Sequence, residues 1–150
     1  EYFPRLTPIA IWDSDRYLHK TFWLSYYFVN PDVVIFLGDL LDEGSSANDK
    51  EFNLYVKRFY NIFDKQDNIL YIWNAGDNDI GGELPDYVTR HKVERFNRAF
   101  LQSDVITYNN LNFLKVNALI LLNAIEVEIL SFFAIKSPPL IVLYQTETLK

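Results

Sequence analysis

The chain has 150 residues and a formal net charge of −6, a size that builds one domain with a real core. The acidic balance excludes a broad nucleic-acid surface, which needs clustered Lys and Arg. The absence of cysteine excludes disulfides, zinc–thiolate sites and a cysteine nucleophile. Aromatic residues at 17% exclude a disordered chain, and no run of about eighteen apolar residues is present to span a membrane.

The start, Glu1-Tyr2-Phe3-Pro4, does not read as a signal peptide, and methionine is absent even at position 1, which predicts a processed, trimmed or partial chain. Pro8 to Trp12 is a short apolar run that reads as a first strand ending at Asp13-Ser14-Asp15. From Asp15 the period changes. Leu18, Phe22, Tyr26 and Val29 fall on one helical face, and Asn30-Pro31 ends that helix because the residue before proline leaves the α region. Val33 to Leu37 is a β-prone run that predicts a buried second strand. It stops at Gly38, and Asp39, Asp42 and Glu43 follow.

Asn48 with Glu51 forms a capping-box signature, and Phe52, Val56, Phe59 and Phe63 mark a second amphipathic helix. Ile69 to Trp73 predicts a third strand. It too ends in glycine and polar oxygens, Asn74-Ala75-Gly76-Asp77-Asn78-Asp79. A loop over 74–88 leads to a third helix with Val93, Phe96 and Phe100 inward and Arg90, His91, Lys92, Arg95 and Arg98 on its wetter faces. Val105–Tyr108 and Leu111–Val116 around Asn109-Asn110 predict a hairpin. A short helix over Ile125–Ile135 and a last strand over Leu140–Leu143 complete the order β-α-β-α-β-α, then β-β-α-β. Strands alternating with helices predict an α/β fold with a largely parallel, covered sheet.

Two neighbouring strands, each ending in Gly-Asp, would place Asp39 and Asp77 on one rim. Such residues serve turn geometry in many loops. Crowded oxygens of this kind also suit a hard divalent cation, and ligands collect outside the carboxyl ends of strands in open α/β sheets.

Gly38-Asp39-Leu40-Leu41-Asp42-Glu43-Gly44 resembles the second motif of the calcineurin-like metallophosphoesterases, Gly-Asp-x-x-Asp-x-Gly. Gly76-Asp77-Asn78-Asp79 resembles a variant of their third, Gly-Asn-His-Asp. Asp15-Arg16-Tyr17-Leu18-His19, Ile80-Gly81-Gly82-Glu83 and Lys92-Val93-Glu94-Arg95-Phe96 are similar to the eukaryotic, endoplasmic-reticulum branch, which removes ethanolamine phosphate from GPI-anchor glycans. The resemblance covers residues 8–123. It implies a calcineurin-like sandwich of mixed, largely parallel sheets flanked by helices, with residues 1–150 as one, partial, domain. It also implies a dinuclear site of divalent ions (manganese, or zinc, iron or magnesium), with Asp39 bridging, Asp77 as a ligand and Asp13 as the nearest stand-in for the first motif. Asn78 falls where the family has a leaving-group histidine, although an amide cannot act as an acid. Further implications are a phosphodiester substrate on a glycolipid, no nucleic-acid partner, and an endoplasmic-reticulum membrane location through segments outside this chain.

The family's Asp-x-His or Asp-x-Gln is missing after strand one. Either Asp13 and Asp15 replace it, or, the favoured expectation, residues are missing between Trp12 and Asp13. His19 and His91 read as surface or packing residues, Glu126 and Glu128 as a solvated face, and Gln145 stands where a histidine is expected. A non-catalytic binding relative, or a soluble phosphoesterase with another substrate, are the alternative functions.

Overall fold

The computed structural model describes residues 7–83, 85–117 and 140–145. Helix α1 (Thr7–Val29) leads into strand β1 (Val33–Phe36), helix α2 (Asp49–Ile62) and strand β2 (Leu70–Trp73). A single helical turn α3 (Asp77–Ile80), helix α4 (Arg90–Ala99) and strands β3 (Val105–Tyr108), β4 (Leu111–Asn117) and β5 (Leu140–Gln145) follow. The helix expected over Ile125–Ile135, with Glu126 and Glu128, lies outside the described residues. No helix among the described residues is long and apolar enough to cross a membrane.

The expected first strand is corrected. Pro8 to Trp12 is the start of α1, which runs without interruption through Asp13 and Asp15. Proline is tolerated in a first helical turn, and nothing from Ile9 to Tyr26 breaks the helix. An apolar run of five carries too little periodicity to separate strand from helix, and Ile9 and Trp12 are in fact exposed. Trp12 and Asp13 are successive residues of this helix. The inward face of α1 is also rotated from expectation. Phe22, Trp23 and Tyr26 are half-buried, whereas Leu18 and Val29 are exposed. Two polar contacts dock the helix: Arg58 forks onto the Asp15 carboxylate at 2.6–3.0 Å, and the His19 Nδ1 lies 3.0 Å from the Ile62 carbonyl.

The other elements follow their local chemistry closely. Asn30, at φ 49°, ends α1, its N–H donating to the Tyr26 carbonyl. The Asn48 side chain accepts from the Lys50 and Glu51 N–H groups at 3.0 Å, and Glu51 accepts from the Asn48 N–H, completing the expected capping box. Asn109 and Asn110 both adopt positive φ (47° and 63°), so the hairpin closes through a primed turn that asparagine tolerates.

Strands β1 and β2 pair in parallel, Val33 with Leu70 through Phe36 with Trp73. Strand β4 pairs antiparallel with β3 and parallel with β5. The parallel expectation therefore holds for β1–β2 and β4–β5, while the hairpin makes the second sheet mixed. Alternation along the strands sorts the core into two layers. Val34, Phe36, Tyr71 and Trp73 face the helices and meet Phe52, Phe59, Phe96 and Phe100. Val33, Ile35, Leu70 and Ile72 face Phe113, Ile106 and Leu111 of the second sheet. The order is helices, parallel pair, mixed sheet. Gln102 seals the open edge of β2: its carbonyl accepts from the Trp73 N–H at 3.0 Å and its amide donates to the Tyr71 carbonyl.

The helix-side core is a lattice of rings. Phe59 lies 5.2 Å from Phe36, 5.6 Å from Trp73 and 5.5 Å from Phe100, mostly edge to face. Replacing Phe59 by Ala should therefore cost about 3–5 kcal/mol of stability. Urea unfolding of the two proteins checks this, and a loss under about 1 kcal/mol would show that the ring is not central.

Candidate functional site

The site is assembled at the carboxyl ends of β1 and β2. After Phe36 the chain turns through Gly38 at φ 134° and Asp39 at φ 52°, a left-handed pair that aspartate accepts better than most residues. After Trp73 the ladder continues for one more bond, Asn74 N–H to the Phe36 carbonyl at 2.9 Å, and then Gly76 opens α3. The two tips touch. A Cβ on Gly76 would lie 2.0 Å from the Asp39 Oδ1 and 2.4 Å from its backbone nitrogen, so only glycine fits there. The Asn78 N–H points at the Asp39 Oδ1 at 3.4 Å, and the Asn78 carbonyl accepts from the Ser45 N–H at 2.7 Å.

Asp79, the last residue of the Gly76-Asp77-Asn78-Asp79 motif, ties the tips together. It is 0% exposed, and its carboxylate accepts from the N–H groups of Leu41 (2.8 Å), Leu40 (3.1 Å) and Gly76 (2.8 Å). Burial pushes its pKa up to about 6 against the opposing pull of those three bonds, with the Asp39 charge adding to the rise. Arg95 holds the far side of the same loop. Expected on a wet face of its helix, it is 6% exposed. Its guanidinium donates to the Gly44 and Ala47 carbonyls at 2.8 Å, bonds Asp49 at 3.0 Å and stacks 4.3 Å over Phe52. A basic residue every third or fourth position on α4 did not say which one turns inward.

A cleft of about 560 Å³ opens in front of the rim, lined by Asp39, Asp42, Asn78, Ser14 and Arg58 above a floor of Phe59 and Phe63. Asp39 and Asn78 are thus brought together, with Asp42 beside them. Asp77 is half-buried at the first position of α3 and is not among the cleft-lining residues. Asp13 is exposed on α1 and lines a separate depression with Arg16, Tyr17 and Lys20. His19 is docked on the end of α2, and the His91 Nε2 lies 3.5 Å from Asp49, so neither belongs to the rim. Gln145 closes β5 opposite Asn117.

Metallophosphoesterase 1 of Danio rerio is 32% identical over 112 residues, covering 73% of this chain and 28% of that protein. The Macaca fascicularis protein of the same name is 31% identical over 107 residues, 71% of this chain and 26% of its own. The Caenorhabditis elegans metallophosphoesterase 1 homolog is 38% identical over 64 residues, 43% and 17% of the two chains. These relatives support the metallophosphoesterase superfamily. The chain spans about a quarter of the length of the curated relatives it matches. No family model matches the chain, and no solved structure matches it.

Metallophosphoesterase relatives imply divalent-metal use. Among the described residues, however, no group of three or more His, Cys, Asp or Glu is placed to hold a metal ion. Asp39 and Asp42 share the cleft with an amide and a guanidinium, a donor set too short to close a metal centre alone. The described residues by themselves do not fit a two-metal site.

Two outcomes follow from this geometry. Gly76→Ala should cost roughly 1–3 kcal/mol, because the new methyl overlaps Asp39, and it should shift the Asp39 amide resonance. Thermal unfolding and a two-dimensional NMR spectrum would read both, and an unchanged pair would show that the tips do not touch. The second concerns pH. The folded pKa of Asp79 lies near 6, above an unfolded value of about 3.9, so the folded state holds the proton more tightly. This group then contributes most below pH 4, and its contribution is lost as pH rises through 6, by roughly 2–3 kcal/mol. The stability–pH curve of Asp79→Asn should lack that downward slope between pH 4 and 6, as measured by denaturant midpoints. Parallel curves for the two proteins would refute the assignment.

Proposed function

We propose that this chain carries the phosphoester-binding rim of a metal-dependent phosphodiesterase whose substrate is the ethanolamine phosphate of a GPI-anchor glycan. The observation that carries the reading is the contact of the two Gly-Asp tips, Asp39 against Gly76 and Asn78, at the mouth of an open cleft. The similarity to metallophosphoesterase 1 proteins supports the reaction class. The substrate rests on the similarity of Asp15 to His19, Ile80 to Glu83 and Lys92 to Phe96 to the endoplasmic-reticulum branch, and such a substrate places the protein at that membrane. In this reading Asp39 and Asp77 contribute to a site for two divalent ions, manganese first. The remaining donors come from outside the described residues. Asp13 is a ligand only if α1 is rearranged, and Asn78 orients the ester oxygen by hydrogen bonding.

A second reading, a phosphoesterase-like protein that binds without hydrolysis, is favoured by the short donor set among the described residues. One experiment separates the two. The purified chain is loaded with Mn²⁺, dialysed, assayed for metal by mass spectrometry and tested for hydrolysis of bis(p-nitrophenyl) phosphate. Asp39→Asn serves as control because asparagine accepts the positive φ at that position. Hydrolysis that falls by more than about 100-fold in the variant supports the enzyme, since even residues that only orient metal ligands cost 10–100-fold. Bound metal without turnover supports the binding protein. Equal activity in Asp39→Asn removes this site from either role.

A further inference from the structure

We propose that Asp79 is the positioning residue of the rim: its carboxylate, and not a bound cation, sets the backbone that presents Asp39 and Asn78. The inference rests on the reading of that rim as the functional site. Three features of the bonding carry it. First, the donors come from both tips. Leu40 and Leu41 directly follow Asp39, and Gly76 lies two residues before Asn78. Second, the Leu40 N–H belongs to the peptide that joins Asp39 to Leu40, so bonding it fixes the orientation of Asp39 on its carbonyl side. That is where help is needed, because Gly38 and Asp39 hold successive positive φ values that L-residues avoid. Third, the acceptor is fully buried, with no exposed surface at which water could replace a lost partner.

The bonding is also divided within the carboxylate. One oxygen, Oδ2, serves Leu40 and Gly76 and so spans the two tips, while Oδ1 serves Leu41. An asparagine can place its single carbonyl oxygen at the spanning position and keep both of those bonds. Its NH₂ group then faces the Leu41 N–H, donor against donor. An alanine loses all three. The two variants therefore grade the effect: Asp79→Asn disturbs Leu41 most, and Asp79→Ala opens the whole rim.

The test is amide hydrogen exchange by NMR on the full chain, in EDTA and again in excess Mg²⁺. The wild-type amides of Leu40, Leu41 and Gly76 should be protected equally in both. Asp79→Asn should speed exchange at Leu41 by about 10- to 100-fold, and Asp79→Ala should do so at all three, with the amides inside α2 unchanged. If the wild-type chain hydrolyses bis(p-nitrophenyl) phosphate, Asp79→Asn should lower kcat while KM stays within about twofold, a split that general loss of fold would not give. Protection of these three amides that appears only with Mg²⁺ overturns the proposal. So does unchanged exchange at Leu41 in Asp79→Asn. Should either variant fail to fold, the wild-type comparison in EDTA and Mg²⁺ decides alone. A wild-type chain without turnover counts against the hydrolase reading and leaves the exchange result to decide this one.

Discussion

A single buried carboxylate joins backbone groups that the sequence keeps at least 35 residues apart, Leu40 and Leu41 on one side and Gly76 on the other. Asp79 accepts backbone N–H bonds from the β1 tip and the β2 tip together. Burying a carboxylate is costly, and the rise of its pKa to about 6 measures how incompletely three neutral donors offset the loss of water. The cost is local, and so is the return. Two loops that would otherwise diverge after Gly38 and Gly76 are held closely enough for Gly76 to accommodate Asp39 in place of a side chain.

The clamp works because its supports are rigid. Parallel pairing sets the β1 and β2 ends level, Phe36 beside Trp73, and the aromatic lattice of Phe36, Phe59, Phe63, Trp73 and Phe100 fixes the strands against α2 and α4. Arg95 then fastens the loop after Asp39 from the opposite side. Its planar fork reaches two carbonyls and the Asp49 carboxylate at once, a geometry that lysine cannot reproduce. Ser45 links that fastened loop back to the Asn78 carbonyl. The path from α4 through Gly44 and Ser45 to Asn78 is a chain of direct bonds.

Much of this was legible in the sequence where local chemistry dominates. Asn48 with Glu51, Asn30 before Pro31, and Asn109-Asn110 each act through their own backbone, and each does in the structure what its residue type dictates. The Gly-Asp endings gave the location of the rim for the same reason. Pro8 to Trp12 is not a strand despite its apolar run because a strand is defined by its neighbour across the sheet, and among the described residues β1 and β2 pair only with each other in their sheet. Arg95 and Asp79 were not legible as anchors. Their roles depend on partners 38 to 51 residues away, and a charged letter in a sequence carries no mark of burial.

The electrostatics of the cleft constrain any ligand more tightly than its shape does. Its charged lining is Asp39, Asp42 and Arg58. The guanidinium of Arg58 is already matched by Asp15, whose carboxylate it grips with two nitrogens and which holds the arginine pKa above its ordinary value. The cleft's charged lining thus sets two carboxylates against one guanidinium, in a chain whose net charge is itself −6. A phosphoester is an anion, and like charges brought within a few ångströms in a partly desolvated cleft repel strongly. Phosphate binding at this rim therefore requires added positive charge, whether the protein cleaves the ester or only holds it.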